Sequence, residues 1–443
     1  MKSSTRRSFL KKSAAAGIAA PLFVRNLMSQ PPNNRVRHAS FGAAGMAGAD
    51  LQSIASHASV QVVCAAEVDN SRIALLQKLG GGKVTHYQDW RVMLDKEGKN
   101  LDAANVSTPD HMHAAMAMSA MQRGLHVYVQ KPLCHDIFEV RRLTEVARQR
   151  KLISQMGIQI HSADVYRLGV KLIQDGAVGK IREVHLFSGA RYGGDAPRPD
   201  RKDAVPASLN WDWWIGVAPT CNYLANYYHP FEWRRRLDYG TGSLGDMGCH
   251  IFDPVYEALA LTAPTSVRSE GAAPGMHNWA VDSTIHYVFP GTRYTDGNTV
   301  RLTWYDGNQR PSREVQALLG AYKTPGQGSI FVGTKGTMLM PHIGRPVLFP
   351  VNDFRDFKMP RVEGTNHWHQ WVNAILGKGQ TTTSFDYSGP LTETVLLGTV
   401  ATRFPKTTLE WDSAKLTFRN SADATRLVRR TYRKGWEVNG LNG

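Results

Sequence analysis

From residue 36 onward the chain alternates short apolar runs with longer amphipathic ones. "VRHASFG", "SVQVVCAAE", "LDAANVST", "HVYVQ" and "LISQMGI" read as strands, and "GMAGADLQSIASH", "NSRIALLQKLG", "DHMHAAMAMSAMQRG" and "IFEVRRLTEVARQRK" read as the helices between them. Apolar runs of five to seven residues separated by helices of 10 to 15 predict a doubly wound parallel α/β sheet, because strands covered on both faces lose their polar alternation. This domain is expected over residues 34–157. Past a helical "VYRLGVKLIQDGAVG" the texture changes. Strand-like "IREVHLFSGAR", "SVRSEGAA", "DSTIHYVFP", "TVRLTWYDG" and "GSIFVGTKGTMLM" follow one another, with helices expected near 250–261, 366–377 and 390–403. Strands in succession with few helices between them predict an α+β domain over 158–443, built on a mainly antiparallel open sheet.

A length of 443 residues with 42% hydrophobic and 20% charged residues suits two domains with real cores. The formal net charge is +16, but six cations and no acid lie in residues 1–30, which leaves +10 on the rest. That remainder is scattered apart from Arg234–Arg236, which argues against nucleic-acid binding as the function. The same first residues, "TRRSFLKKSAAAGIAAPLFV", join two arginines to an apolar block too short to span a bilayer. Thr5 to Lys11 looks like a twin-arginine signal, read by an exporter of folded proteins. Residues 1–33 are therefore expected to be signal and linker, and the protein periplasmic, or membrane-anchored if the signal stays uncleaved. Cys64, Cys134, Cys221 and Cys249 have no framework spacing, so no disulfide is expected.

Candidate chemistry sits where the strands end. "SFGAAGMAGADL" joins the first strand to the first helix, the place of a dinucleotide phosphate loop. Gly42, Gly45 and Gly48 are present, but Ala44 and Ala47 stand where the usual spacing puts its second and third glycines. A tight turn would account for the motif alone. Glu67, 25 residues after Gly42 and directly behind "VVCAA", adds a carboxylate for the adenosine ribose, favouring NAD over NADP. At the next strand end, Ser107, Thr108 and Asp110 are candidate caps, and His111 and His113 candidate loop histidines over a cofactor. No Cys or acid joins the two histidines at ligand spacing, so no metal is expected. In "GTGSLGDMGCHIFDPVYEAL", Asp246 and His250 are i and i+4 on one helix, so they share a face. They could pair as base and orienting carboxylate, or His250 could be a buried structural histidine. Trp214, Tyr228, His229, Trp233 and Arg234 lie in "NWDWWIGVAP" and "NYYHPFEWRRRLDYG". Flat faces and fork donors of this kind line carbohydrate clefts, though aromatic core packing explains any single ring as well.

With "VSTPDHMHAAMAMSAMQRGLHVYVQKPL", "QMGIQIHS", "YHPFEWRRRLDYGTGSLGDMGCHIFD" and "LTETVLLGTVATRF" in this order, the chain resembles the Gfo/Idh/MocA oxidoreductases over nearly its whole length after residue 33. The resemblance implies a Rossmann NAD(P)-binding domain, with Lys131 next to nicotinamide and substrate and Pro132 cis. It implies that Asp246 and His250 face them from the second domain. Gly42, Ala44, Gly45, Met46, Glu67, Ser107, Thr108, Pro109, His111, His113, Gln130, Lys131 and Gln159 would hold the cofactor. It further implies a homodimer or homotetramer formed through the open sheet. Gln130 departs from the family's Glu beside the lysine, and the Gly-Gly-His-Gly-Gly signature of its NAD-dependent glycosidases is absent. The expected function is an NAD(P)-dependent oxidoreductase of a sugar, glycoside or polyol. His250 would take the hydroxyl proton, with Lys131 the other candidate base, Asp246 would orient the histidine, and Lys131 would bind the reacting oxygen. A redox-neutral glycoside hydrolase or epimerase, and a non-catalytic sugar- or polyanion-binding protein, are the alternatives.

Overall fold

The computed structural model describes residues 35–441, so the twin-arginine segment lies outside the described residues. Six parallel strands form the first sheet: β1 (Val36–Phe41), β2 (Val60–Ala66), β3 (Thr85–Tyr87), β4 (Ala103–Val106), β5 (His126–Gln130) and β6 (Ser154–Gly157), in the order β3-β2-β1-β4-β5-β6. The order reverses between β1 and β4, which opens a crevice at the carboxyl ends of these strands, where doubly wound sheets bind their ligands. Burial of all five residues of β5 explains its unbroken apolar run.

Helices of nine or more residues are α1 (Met46–Ala55), α2 (Asp110–Gln122), α3 (Ile137–Arg150), α4 (Asp164–Gln174), α5 (Gly242–Ala258), α6 (His367–Ile375) and α7 (Phe385–Ala401). The expected helix over "NSRIALLQKLG" is broken into three short turns, with α-helix only at Ala74–Lys78. The helix expected near 250–261 begins eight residues earlier, at Gly242. Its glycines read as a loop in isolation, yet they are buried, Gly242 against Trp279 and Gly248 against Val395 of α7.

Nine strands form the second sheet: β7 (Ile181–Ser188), β8 (Ser266–Ser269), β9 (Thr284–Pro290), β10 (Thr299–Asp306), β11 (Gln327–Gly333), β12 (Thr337–Pro341), β13 (Val347–Phe349), β14 (Leu409–Asp412) and β15 (Thr417–Phe418). Their order is β13-β12-β11-β7-β10-β9-β8-β14-β15. The pairing is antiparallel except at the centre, where β7 and β10 run parallel, so the sheet is mixed. A single apolar core runs from Phe41 and Val127 through α5 and α7 to Trp304. The second half also returns to the first: Trp371 and Val372 of α6 pack on Val36, Ile54 and Tyr128. Beyond α7, Arg430 pairs with Glu139 of α3 at 3.0 Å, and Tyr432 donates to the same carboxylate at 2.7 Å.

Candidate active site

The loop after β1 turns through Gly42 at φ +97° and Gly45 at φ +60°, conformations that favour glycine. A Cβ on Gly42 would lie 2.8 Å from that of Ala47. Ala44 and Ala47 meet no such demand, which explains how alanine is accepted where the motif usually has glycine. No side chain caps α1, and its first residues, Met46 and Ala47, line the cleft with Ala44 and Gly45. Such an uncapped terminus behind small residues is a cradle for a pyrophosphate. Glu67, at the end of β2, accepts from the N–H groups of Ala43 and Asp69 at 3.1 Å each. Burial raises its carboxyl above the ordinary range, against those two hydrogen bonds and nearby Arg72. These residues fit a dinucleotide.

From this cradle one cleft of about 490 Å³ runs past Ser107, Thr108 and Pro109 to Gln130 and Lys131. It ends against Trp214, His229, Trp233, Arg234 and Asp246 of the second half. The Lys131–Pro132 peptide is cis. Lys131 Nζ donates to the Asp246 carbonyl at 2.7 Å and to its Oδ1 at 3.0 Å. Arg234 Nε donates to the same Oδ1 at 3.2 Å, while its guanidinium lies 4.3 Å from the ring centres of Phe231 and Trp233. Burial alone would raise the Asp246 carboxyl, but the two cations outweigh it and hold it below its ordinary value. His229 meets Asp69 at 3.0 Å, tying the aromatic wall to the end of β2.

Several expected site residues lie elsewhere. His250 shares a face of α5 with Asp246, but its ring turns into a separate small pocket beside Tyr166, Met340 and His342, 5.2 Å from the His342 ring. Burial, aided by Lys131, drives its pKa well below 6.5, so the ring is neutral. The Asp246 carboxylate is taken by Lys131 and Arg234 and does not orient His250. Helical periodicity gave the common face; the side-chain directions diverge. His111 is fully buried, with Nε2 3.1 Å from the Trp214 carbonyl, and does not line the cleft. His113 lies 2.8 Å from the carbonyls of both Pro132 and Thr108, bracing two cleft loops from behind. Tyr228 is buried among Trp211, Trp214 and Tyr239. Gln159 sits behind the cleft against Asp50 and Tyr128.

The expected caps differ as well. α2 starts at Asp110 with no side-chain cap, and the Asp110 carboxylate instead accepts from Thr241 Oγ1 at 2.7 Å. Asp110 lines the cleft, and burial, with Asp246 adding to it, raises its pKa to about 7. Sequence reasoning did not place it in the site, nor Arg72, Tyr192, Trp213 or Phe231, which also line it. Trp213 and Phe231 carried a signal, since both lie in the aromatic segments already singled out.

Two family profiles match the chain. One, described as an oxidoreductase family NAD-binding Rossmann fold, covers residues 36–158, and one described as an oxidoreductase family C-terminal alpha/beta domain covers 197–438. Among curated proteins, a levoglucosan dehydrogenase of Pseudarthrobacter phenanthrenivorans is 24% identical over 37% of this chain and 34% of its own length. A dTDP-3,4-didehydro-2,6-dideoxy-alpha-D-glucose 3-reductase of Streptomyces antibioticus is 28% identical over 34% of this chain and 46% of its own. The matched segments thus span about a third to a half of those relatives. A solved structure of the WlbA dehydrogenase of Bordetella pertussis, in complex with NADH and UDP-GlcNAcA, superposes with a TM-score of 0.58. It covers 85% of this chain and 99% of that one at 15% identity, which is a likeness of fold.

Proposed function

The chain belongs to the Gfo/Idh/MocA oxidoreductase family, with an NAD-binding Rossmann domain, and from that premise we propose that it moves hydride between a secondary hydroxyl of a sugar, glycoside or polyol and a tightly held nicotinamide cofactor. The observation that carries this reading is the single cleft joining the uncapped α1 terminus and Glu67 to Lys131, Asp246 and an aromatic wall. A dehydrogenase and a reductase of sugar substrates among the relatives support the substrate class. Bound nicotinamide supplies the hydride acceptor or donor. Gly42, Ala44, Gly45, Met46, Glu67 and Ser107 through Pro109 would hold it.

The rest is the work of this chain's side chains. Phe231, which is 46% exposed, and half-buried Trp213 offer apolar surface against which a sugar ring excludes water. Lys131 Nζ hydrogen-bonds the reacting oxygen, gives it a proton when a carbonyl is reduced and takes that proton back when an alcohol is oxidised. Asp246 Oδ1, 3.0 Å from Nζ, holds the Lys131 side chain in place. His250 supports α5 and has no part in the proton transfer. Export in folded form, from the Thr5–Lys11 segment, belongs to the same proposal: a protein that carries its cofactor with it needs no free supply at its destination.

The test is mass spectrometry and nicotinamide absorbance of the purified protein during a screen of sugars and glycosides. The absorbance of bound cofactor is expected to change on adding a substrate. Lys131→Ala lowers turnover by about 10²–10⁴-fold with cofactor still bound, whereas His250→Ala retains turnover and shows its effect in stability. Protein that neither carries nor takes up NAD, and ignores every sugar, refutes the proposal.

A further inference from the structure

Behind the cleft, Asp50 of α1 is fully buried, and its carboxylate is met by hydrogen-bond donors on both oxygens. Gln130 Nε2 and Ser107 Oγ each donate to Oδ2 at 2.8 Å, Trp368 Nε1 donates to Oδ1 at 2.9 Å, and Gln159 Nε2 approaches Oδ1 at 3.5 Å. The amide of Gln130 is thereby fixed in one orientation, with its Oε1 accepting from the Lys131 N–H at 3.2 Å. Gly157 closes the far side, where a Cβ would fall 2.7 Å from the Gln130 amide. Four donors converging on two oxygens describe a site built for an acceptor at position 50 and a donor at position 130. A glutamate at 130 would set two carboxylates 2.8 Å apart, too close for water between them, and such a pair cannot both ionise.

We propose that Asp50 is a positioning residue whose carboxylate, held behind the strand end, requires Gln130 and through it fixes the peptide that carries Lys131. The acid beside the lysine has in effect moved from the strand to the phosphate-loop helix. Asp50 then links three parts of the cleft wall, α1, the Ser107 loop and the Gln130–Lys131 strand end, to α6 of the second half through Trp368. The role in positioning Lys131 rests on the proposed oxidoreductase reading; the coupling of residues 50 and 130 does not.

The experiment is a double-substitution cycle of Gln130→Glu, Asp50→Asn and both together, read first by thermal midpoint without cofactor between pH 5 and 9, then by NAD titration. Gln130→Glu is expected to lower the midpoint most at high pH and least at low pH. The pair must share a proton, so its raised folded-state pKa makes stability fall as pH rises through it. NAD affinity above pH 7 should drop about tenfold, the equivalent of one unit of pKa. In the double variant the asparagine placed at position 50 keeps an oxygen for Trp368 and Gln159. Its amide nitrogen turns toward Ser107 and the carboxylate introduced at position 130, so both midpoint and affinity recover. Equal midpoints for Gln130→Glu and the parent across the pH range, or effects that simply add in the double variant, overturn the inference. If Gln130→Glu is insoluble, soluble double variant supports the coupling and insoluble double variant refutes it. Non-additive midpoints in a protein that binds no NAD would uphold the coupling while sinking the oxidoreductase reading.

Discussion

Asp110 is 2% exposed, accepts from Thr241 and lies near both Lys131 and Asp246. Burial raises its pKa to about 7 from the ordinary 3.8. A carboxyl raised on folding stabilises the fold where it is protonated in both states, and that contribution is lost as pH rises through the folded value. Relative to Asp110→Asn, which keeps an oxygen for Thr241, the parent should therefore lose stability between pH 4 and pH 7. The loss is on the order of 2–4 kcal/mol at most, from about 1.4 kcal/mol per unit. Chemical denaturation of both proteins over that range checks it, and parallel profiles would dismiss the assignment. The residues that sequence reasoning missed share a reason. Asp110 meets Thr241 across 131 positions and Asp50 meets Gln130 across 80. Local patterns present each acid as a helix-end or helix-surface residue, and only the fold supplies its partner.

α3 starts from a capping box, in which Asp136 Oδ1 accepts from the Glu139 N–H at 2.9 Å and Glu139 reaches back to the Asp136 N–H at 3.3 Å. Glu139 is 2% exposed, so its charge is balanced chiefly by Arg430. Arg430→Ala would strand a buried carboxylate beside Asp136 and should cost about 3–5 kcal/mol. Urea unfolding measures this, and a loss under about 1 kcal/mol would mean that the pair is of the weak, exposed kind. Elements of this sort are legible where burial dictates the pattern. "HVYVQ" is β5 residue for residue, and "IFEVRRLTEVARQRK" is α3 plus the left-handed Lys151 that ends it. β3 escapes sequence reasoning because three residues, "THY", carry no period. The start of α5 escapes it because glycine normally opposes a helix, and packing against α7 overrides that preference. Asp246 and His250 do share one face; which way each side chain turns depends on β5 and on the β11–β12 hairpin.

The two sheets share one core, so the molecule should unfold as a unit. NAD at about 100 times its dissociation constant would stabilise the fold by about 2.7 kcal/mol, and the rise in midpoint should appear alike in probes of both sheets. Two transitions, with only one moved by NAD, would show that the halves melt independently. Trp436 extends the grip of Arg430 and Tyr432 on the first half, stacking under Arg91 at 4.2 Å, while Arg433 holds Gly216 and Asp212 of the second. Gln122 at the end of α2 donates to the Asn439 carbonyl. The first domain is thus completed by residues far downstream of it. A ribosome adding about 5–20 residues per second needs about 15–60 s to pass from residue 157 to residue 441. Throughout that interval the nascent Rossmann sheet lacks Arg430 and Tyr432 against Glu139 and the cover over α2, so these contacts stay open until the residues that close them are made.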